Sequence, residues 1–113
     1  SVKMTTRQVG DVTVVDAEGR ITLGDGATTF RDTVRDLSNA GNKKLLLNLA
    51  EVSYIDSSGI GEMVSGFTTV ANQGGQVKLL NLTKRVKDLL QITKLYTVFE
   101  VFDDEATAVR SYK

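Results

Sequence analysis

The spacing of apolar residues changes along the chain, from alternation at the start to a recurrence every three or four residues further on, and each change marks a new element. Met4 to Val9 and Val12 to Ala17 are rich in β-branched residues and flank a turn at Gly10-Asp11, which predicts a hairpin of two strands. From Asp25 onward Ala27, Phe30, Val34 and Leu37 fall on one helical face, and Gly41 ends that helix. Lys43 to Leu49 reads KKLLLNL, too short for a typical helix and too continuously apolar for a half-exposed strand. It is predicted as a strand buried on both faces at the centre of a sheet. Glu51 to Asp56 then reads as an exit loop. A second helix begins near Ser57 or Ser58 and carries Ile60, Met63, Val64, Phe67, Val70 and Ala71 along one side until Gly74-Gly75.

Gln76 to Leu80 reads as a further short strand, and Thr83 can cap the next helix through its hydroxyl, with Val86, Leu89 and Leu90 inward. Its outer residues Lys84, Arg85 and Lys87 look like an ordinary solvated face and are assigned no function. Val98 to Phe102 is a last β-type run, and Asp103 is the expected cap of a C-terminal helix that turns Ala106 and Val109 inward. The order β-β-α-β-α-β-α-β-α implies an α/β fold. A mixed, mostly parallel sheet of about four or five strands, with about four helices and right-handed crossovers, forms a single domain over residues 1–113.

Composition narrows the function. A chain of 113 residues that is 41% hydrophobic and 25% charged has the balance of a folded globular domain rather than of a disordered one. Its 14 basic and 14 acidic residues cancel, so no global field draws it to nucleic acid or to an anionic membrane, and neither is expected as a partner. No apolar run reaches the roughly 20 residues that span a bilayer, and Ser1-Val2-Lys3 does not read as a secretory signal. The absence of cysteine fits a reducing cytosol, and a cytoplasmic location is expected.

The absence of histidine removes the usual general base and the commonest neutral metal ligand together. Gly24-Asp25-Gly26 and Gly59-Ile60-Gly61 match neither the dinucleotide fingerprint nor the lysine-bearing phosphate loop. The expectation is therefore a protein that is not an enzyme, with no catalytic residue, no cofactor and no metal.

In a fold of this kind the loop that leaves a central strand and feeds a helix is the favoured functional position. Here it is Val52-Ser53-Tyr54-Ile55-Asp56-Ser57-Ser58-Gly59. A serine at a helix start can satisfy an orphan backbone N–H, and Gly59 and Gly61 leave room for another molecule near the backbone. The electropositive helix N-terminus would also tolerate a phosphoserine, which adds about 1.5 to 2 negative charges to the surface. The residues alone leave two readings open, because serine is a common cap and Asp56 a common capping or loop residue. Met63 and Phe67, in helical register with Ile60 and Val70, read as core rather than as a ligand pocket.

The chain as a whole resembles STAS domains, and bacterial anti-sigma factor antagonists among them. The matching segments are the strand ending at Gly19, the helix after Asp25, KKLLLNL, VSYIDSSGIG, GGQVKLLNLT and VKDLLQITKLYTVFEVF. The resemblance implies that Ser57, directly after the aspartate, is phosphorylated by an anti-sigma factor with a histidine-kinase-like ATPase fold, with Ser58 as second choice. It also implies that the unphosphorylated form binds this partner and frees a sigma factor, and that a PP2C-like phosphatase restores that form. The partner-binding surface would then comprise Thr22, Asp56, Ser57, Ser58, Gly59, Ile60 and Gly61. One departure stands out. Where antagonists commonly carry two acidic residues at the end of the second strand, this chain reads Gly19-Arg20-Ile21-Thr22, which points to a different partner or a differently charged one. A non-switching scaffold subunit of a signalling or transport complex, with Ser57 only capping its helix, is the alternative, and a small-ligand sensor a third.

Overall fold

A computed structural model describes residues 1–113. One five-stranded sheet runs in the order β1-β2-β3-β4-β5, with β1 at Val2–Val9, β2 at Val12–Ile21, β3 at Lys44–Ile55, β4 at Gln76–Leu80 and β5 at Val101–Phe102. β1 is antiparallel to β2 through the hairpin, and the other neighbours pair in parallel. The helices are α1 (Asp25–Asn39), α2 (Ser57–Asn72), α3 (Lys84–Ile92) and α4 (Glu105–Arg110). The expected element order and mixed sheet are what the structure has.

Because the parallel strands follow one another in chain order, right-handed crossovers place their connecting helices on one face of the sheet. Phe30 and Val34 of α1, Ile60, Met63 and Val70 of α2, and Val86 and Leu90 of α3 all belong to the core on that face, with Leu45, Leu47 and Leu49 of β3. That core has 18 buried residues, against 5 on the opposite face, where Leu46 meets Val12, Val14, Leu80 and Ala108 of α4. Most of the hydrophobic stabilisation therefore lies under the three crossover helices. Val64 and Phe67 are only partly buried, and Phe67 meets Phe99 edge-on with centroids 5.4 Å apart.

Several boundaries differ from the sequence reading. Glu51 to Ile55 is strand rather than loop, because Val52 and Ile55 are both buried in the core while Glu51 and Ser53 point outward. β2 likewise extends past Ala17 to Ile21, through register irregularities at Asp16/Glu18 and Gly19/Arg20. Only Val101–Phe102 of the expected final strand pairs, since Leu95–Thr97 form a 3₁₀ turn that swings Phe99 into the core. Asp104, not Asp103, caps α4, because its carboxylate reaches the Thr107 N–H at 2.9 Å and hydroxyl at 2.7 Å. Ala108 is then the buried residue of α4, while Ala106 is exposed and Val109 half-buried. Ala71 of α2 is also exposed, one residue round the helix from buried Val70.

Leu47 is 2% exposed at the centre of β3, between β2 and β4. Leu47→Ala is expected to cost about 2 to 5 kcal/mol through the cavity it leaves. Urea or guanidinium melts check this, and a variant as stable as the wild type would contradict the placement.

Candidate functional site

β2 and β3 end level with each other, Ile21 paired with Ile55. The residues that follow each strand, Thr22-Leu23-Gly24 before α1 and Asp56 before α2, are thus neighbours in space although more than thirty positions apart in sequence. Asp56 joins them. Its N–H donates to the Ile21 carbonyl at 3.3 Å, one carboxylate oxygen accepts the Leu23 N–H at 2.8 Å, and the other accepts the Gly59 N–H at 2.9 Å. The N-cap of α2 is therefore Asp56, in extended backbone conformation. Ser57 is the first helical residue rather than the cap that the sequence left possible.

These N–H groups, Leu23 first and Gly59 second, hold the Asp56 carboxyl below the usual carboxylate range. No acidic side chain lies in the first turn of α2 itself, so the positive end of its dipole is answered by Asp56 alone among its own capping groups. Close backbone packing fixes the same turn. A Cβ on Gly59 would fall inside contact distance of the Ile21 carbonyl and 2.7 Å from Ile55 Cγ2. A Cβ on Gly26, in the first turn of α1, would collide with the Arg20 carbonyl. Two helix starts are thus pressed onto the end of one strand.

Ser57 lies on the exposed side of this turn, and its hydroxyl forms no hydrogen bond within the chain. Ser58 is half-buried. Gly61 faces open space. Gly59 is buried, and Ile60 is 9% exposed within the core, so its side chain supports the turn rather than offering a contact. Thr22 is half-buried, and its carbonyl accepts the Ala27 N–H at 2.8 Å at the start of α1. The turn brings Thr22, Asp56, Ser57, Ser58 and Gly61 to one end of the sheet, and places Gly59 and Ile60 beneath them.

Sequence reasoning missed Leu23. Its side chain is 78% exposed while its N–H is fixed by Asp56, and its only signal was an isolated leucine outside the helical period. The cluster of Arg20, Tyr54 and Arg85 was also missed, because it draws on three separate elements. No three carboxylates converge as metal ligands do. The largest hollow, about 610 Å³, lies by Asn81, Thr83, Lys87 and Phe102 and contains no residue of the Ser57 turn.

A parallel sheet covered on one face by its crossover helices, with an exposed serine on an aspartate-capped helix start, defines a compact α/β module with a single prominent turn. Residues 3–108 match the STAS domain, and the chain belongs to that family. An anti-sigma-B factor antagonist of Bacillus subtilis (strain 168) is 37% identical over 75 residues, 66% of this chain and 68% of its own. A crystal structure from Thermotoga maritima, of a protein provisionally named an anti-sigma factor antagonist, superposes with a TM-score of 0.89 at 24% identity, covering 96% of this chain and 93% of that one. The Bacillus cell fate determinant SpoIIAA in its phosphorylated form superposes with a TM-score of 0.74 at 18% identity, covering 96% and 97%. These two likenesses show a shared fold. No helix is long and apolar enough to cross a membrane.

The depressed Asp56 acid fixes the sign of a pH effect. Its two hydrogen bonds act in full above the ordinary carboxylate pKa and are lost as pH falls through the lower folded value. Amide exchange at Leu23 and Gly59, corrected for its intrinsic pH dependence, should therefore stay protected through the ordinary carboxylate range and lose protection only at lower pH. Asp56→Ala should remove that pH dependence, which NMR-detected exchange reads directly. Gly59→Ala is expected to cost about 1 to 3 kcal/mol by overpacking, measured by thermal melts.

Proposed function

We propose that this chain is an anti-sigma factor antagonist switched at Ser57. Unphosphorylated, it binds an anti-sigma factor that carries a histidine-kinase-like ATPase fold, and so releases a sigma factor. That partner transfers a phosphoryl group to Ser57, ending the association, and a PP2C-like phosphatase removes it. The work is done in the cytoplasm, and the antagonist is the substrate of the chemistry rather than its catalyst.

The observation that carries this reading is the Ser57 hydroxyl, exposed and without an internal hydrogen bond on a turn that Asp56 and Gly59 hold fixed. In the transfer, the serine oxygen forms a bond to the γ-phosphorus of ATP while the bond to ADP breaks, and the hydroxyl proton passes to a base of the kinase. The product dianion sits at a helix N-terminus, where the dipole favours negative charge. The fold is left intact while a surface that must be desolvated on binding becomes strongly charged. The relatives support the partner class, being named as anti-sigma factor antagonists, and the phosphorylated form of SpoIIAA supports a modified state of this same fold.

Because Ser57 makes no internal bond, Ser57→Ala should change stability by no more than about 0.5 kcal/mol, as surface substitutions do, and should bind the kinase partner persistently. Ser57→Asp should stay folded and bind more weakly, and the phosphorylated protein more weakly still, since phosphate carries the larger charge. Calorimetric titration with circular dichroism as the folding control separates binding from stability. Equal binding by wild type, both variants and the phosphoprotein would leave Ser57 as an unmodified surface residue and favour a non-switching scaffold subunit.

A further inference from the structure

Beside the Ser57 turn, three side chains from three elements meet at the end of the sheet. Arg20 of β2 is the register partner of Tyr54 of β3, and its guanidinium lies 5.4 Å from the centre of the Tyr54 ring. Arg85 of α3 lies 5.0 Å from the same ring. Both arginines are exposed, and neither takes part in any of the ion pairs of the molecule. Of the carboxylates nearest in the chain, Asp56 is engaged by two backbone N–H groups and Asp88 by Lys84 at 2.8 Å, while Glu18, two residues before Arg20, forms no ion pair with either arginine. Two positive charges thus lie over one aromatic ring, neither of them in an ion pair within the chain.

The apolar surroundings complete a binding surface. Tyr54 and Arg85 line a hollow of about 230 Å³ with Ile55, Asp88, Leu89 and Ile92, and Ile92 is 79% exposed at its rim. Leu23, 78% exposed, stands on the neighbouring loop, its backbone tied to Asp56. Arginine and tyrosine beside exposed aliphatic residues are the composition of an interface hot spot. Contact with the ring restricts each guanidinium, so less rotamer freedom remains to be lost when an acid docks, and a guanidinium takes a carboxylate through two parallel hydrogen bonds.

We infer that Arg20, Tyr54 and Arg85 form a clamp for carboxylate side chains on the face of the anti-sigma kinase, and that this clamp sets which kinase the antagonist accepts. The inference rests on the antagonist reading and adds to it the chemistry of the partner. The docking face of that kinase is acidic around apolar sockets for Leu23 and Ile92, complementary to the two arginines that form no ion pair within the chain. A kinase whose docking face is basic is rejected by like charge.

The test uses the full chain and the purified histidine-kinase-like anti-sigma factors encoded in its source genome, titrated calorimetrically at low and moderate salt. Arg20→Glu and Arg85→Glu, checked for folding by circular dichroism, are each expected to weaken binding of the kinase accepted by wild type by about tenfold or more. They should also flatten its salt dependence, and replacing a docking-face carboxylate of the kinase by lysine should restore binding to the charge-reversed antagonist. Arg20→Gln should fall in between. If both charge reversals bind as wild type does, the clamp is refuted while the antagonist reading stands. If they abolish binding but Ser57 phosphorylation leaves it unchanged, the clamp stands and the switch falls.

Discussion

A strand that is apolar on both faces must be covered on both, and β3 sets this requirement for the whole chain. Leu45, Leu47 and Leu49 go under α1, α2 and α3, and Leu46 goes to the face that α4 covers. Burial also requires the edges of β3 to be paired where water is excluded; β2 pairs along most of its length and β4 along Lys44–Asn48. Asn48, the polar exception in the run, is half-buried and answers this with hydrogen bonds to its neighbours. It donates to Asp16 at 2.8 Å and accepts from the Ala50 N–H and from Asn81 at 3.2 and 3.3 Å. The end of β3 consequently emerges between β2 and the start of α3, which is where Asp56 and Tyr54 stand.

What the Asp56 carboxylate does there could not be read from its neighbours in sequence. A capping aspartate three residues before Gly59 is a local pattern, and the sequence showed it. The second bond, to the Leu23 N–H thirty-three positions away, exists because β2 and β3 end in register. One side chain thereby fixes the start of α2 and the loop before α1 together. The Ser57 turn is thus tied at two points, and under the proposed switch a phosphate on it changes the surface without needing to move the backbone.

The legible parts of the fold were those governed by one dominant period over enough residues. KKLLLNL holds a nearly continuous apolar run, and the α1 stripe Ala27-Phe30-Val34 and the α2 stripe Ile60-Met63-Phe67 step by three and four residues, so the inward side follows from pattern. The failures lie where tertiary contacts override local signals. Val52 and Ile55 are three apart yet both inward, which breaks the two-residue alternation and disguised the end of β3 as a loop. Phe99 reads as strand by type, but the core pulls it inward from a 3₁₀ turn. α4 has six residues, too few for a period, so its cap was chosen between adjacent aspartates, and only the contact with Thr107 distinguishes Asp104 from Asp103.

The same limit applies to charge. Lys84, Arg85 and Lys87 look alike on a helix diagram, and solvation is the economical reading of all three. In the fold they part company: Lys84 is matched with Asp88 one turn along, Lys87 stands beside the large hollow next to Thr83, and Arg85 alone is laid on Tyr54 together with Arg20. A solvated cation retains its hydration and its rotamers, whereas a stacked guanidinium has given up part of both before any partner arrives. Arg20 standing alone would be one more exposed cation. Placed with an arginine from α3 on a shared ring, it becomes half of a two-point site, and under the proposed clamp the partner must answer the sign of both charges.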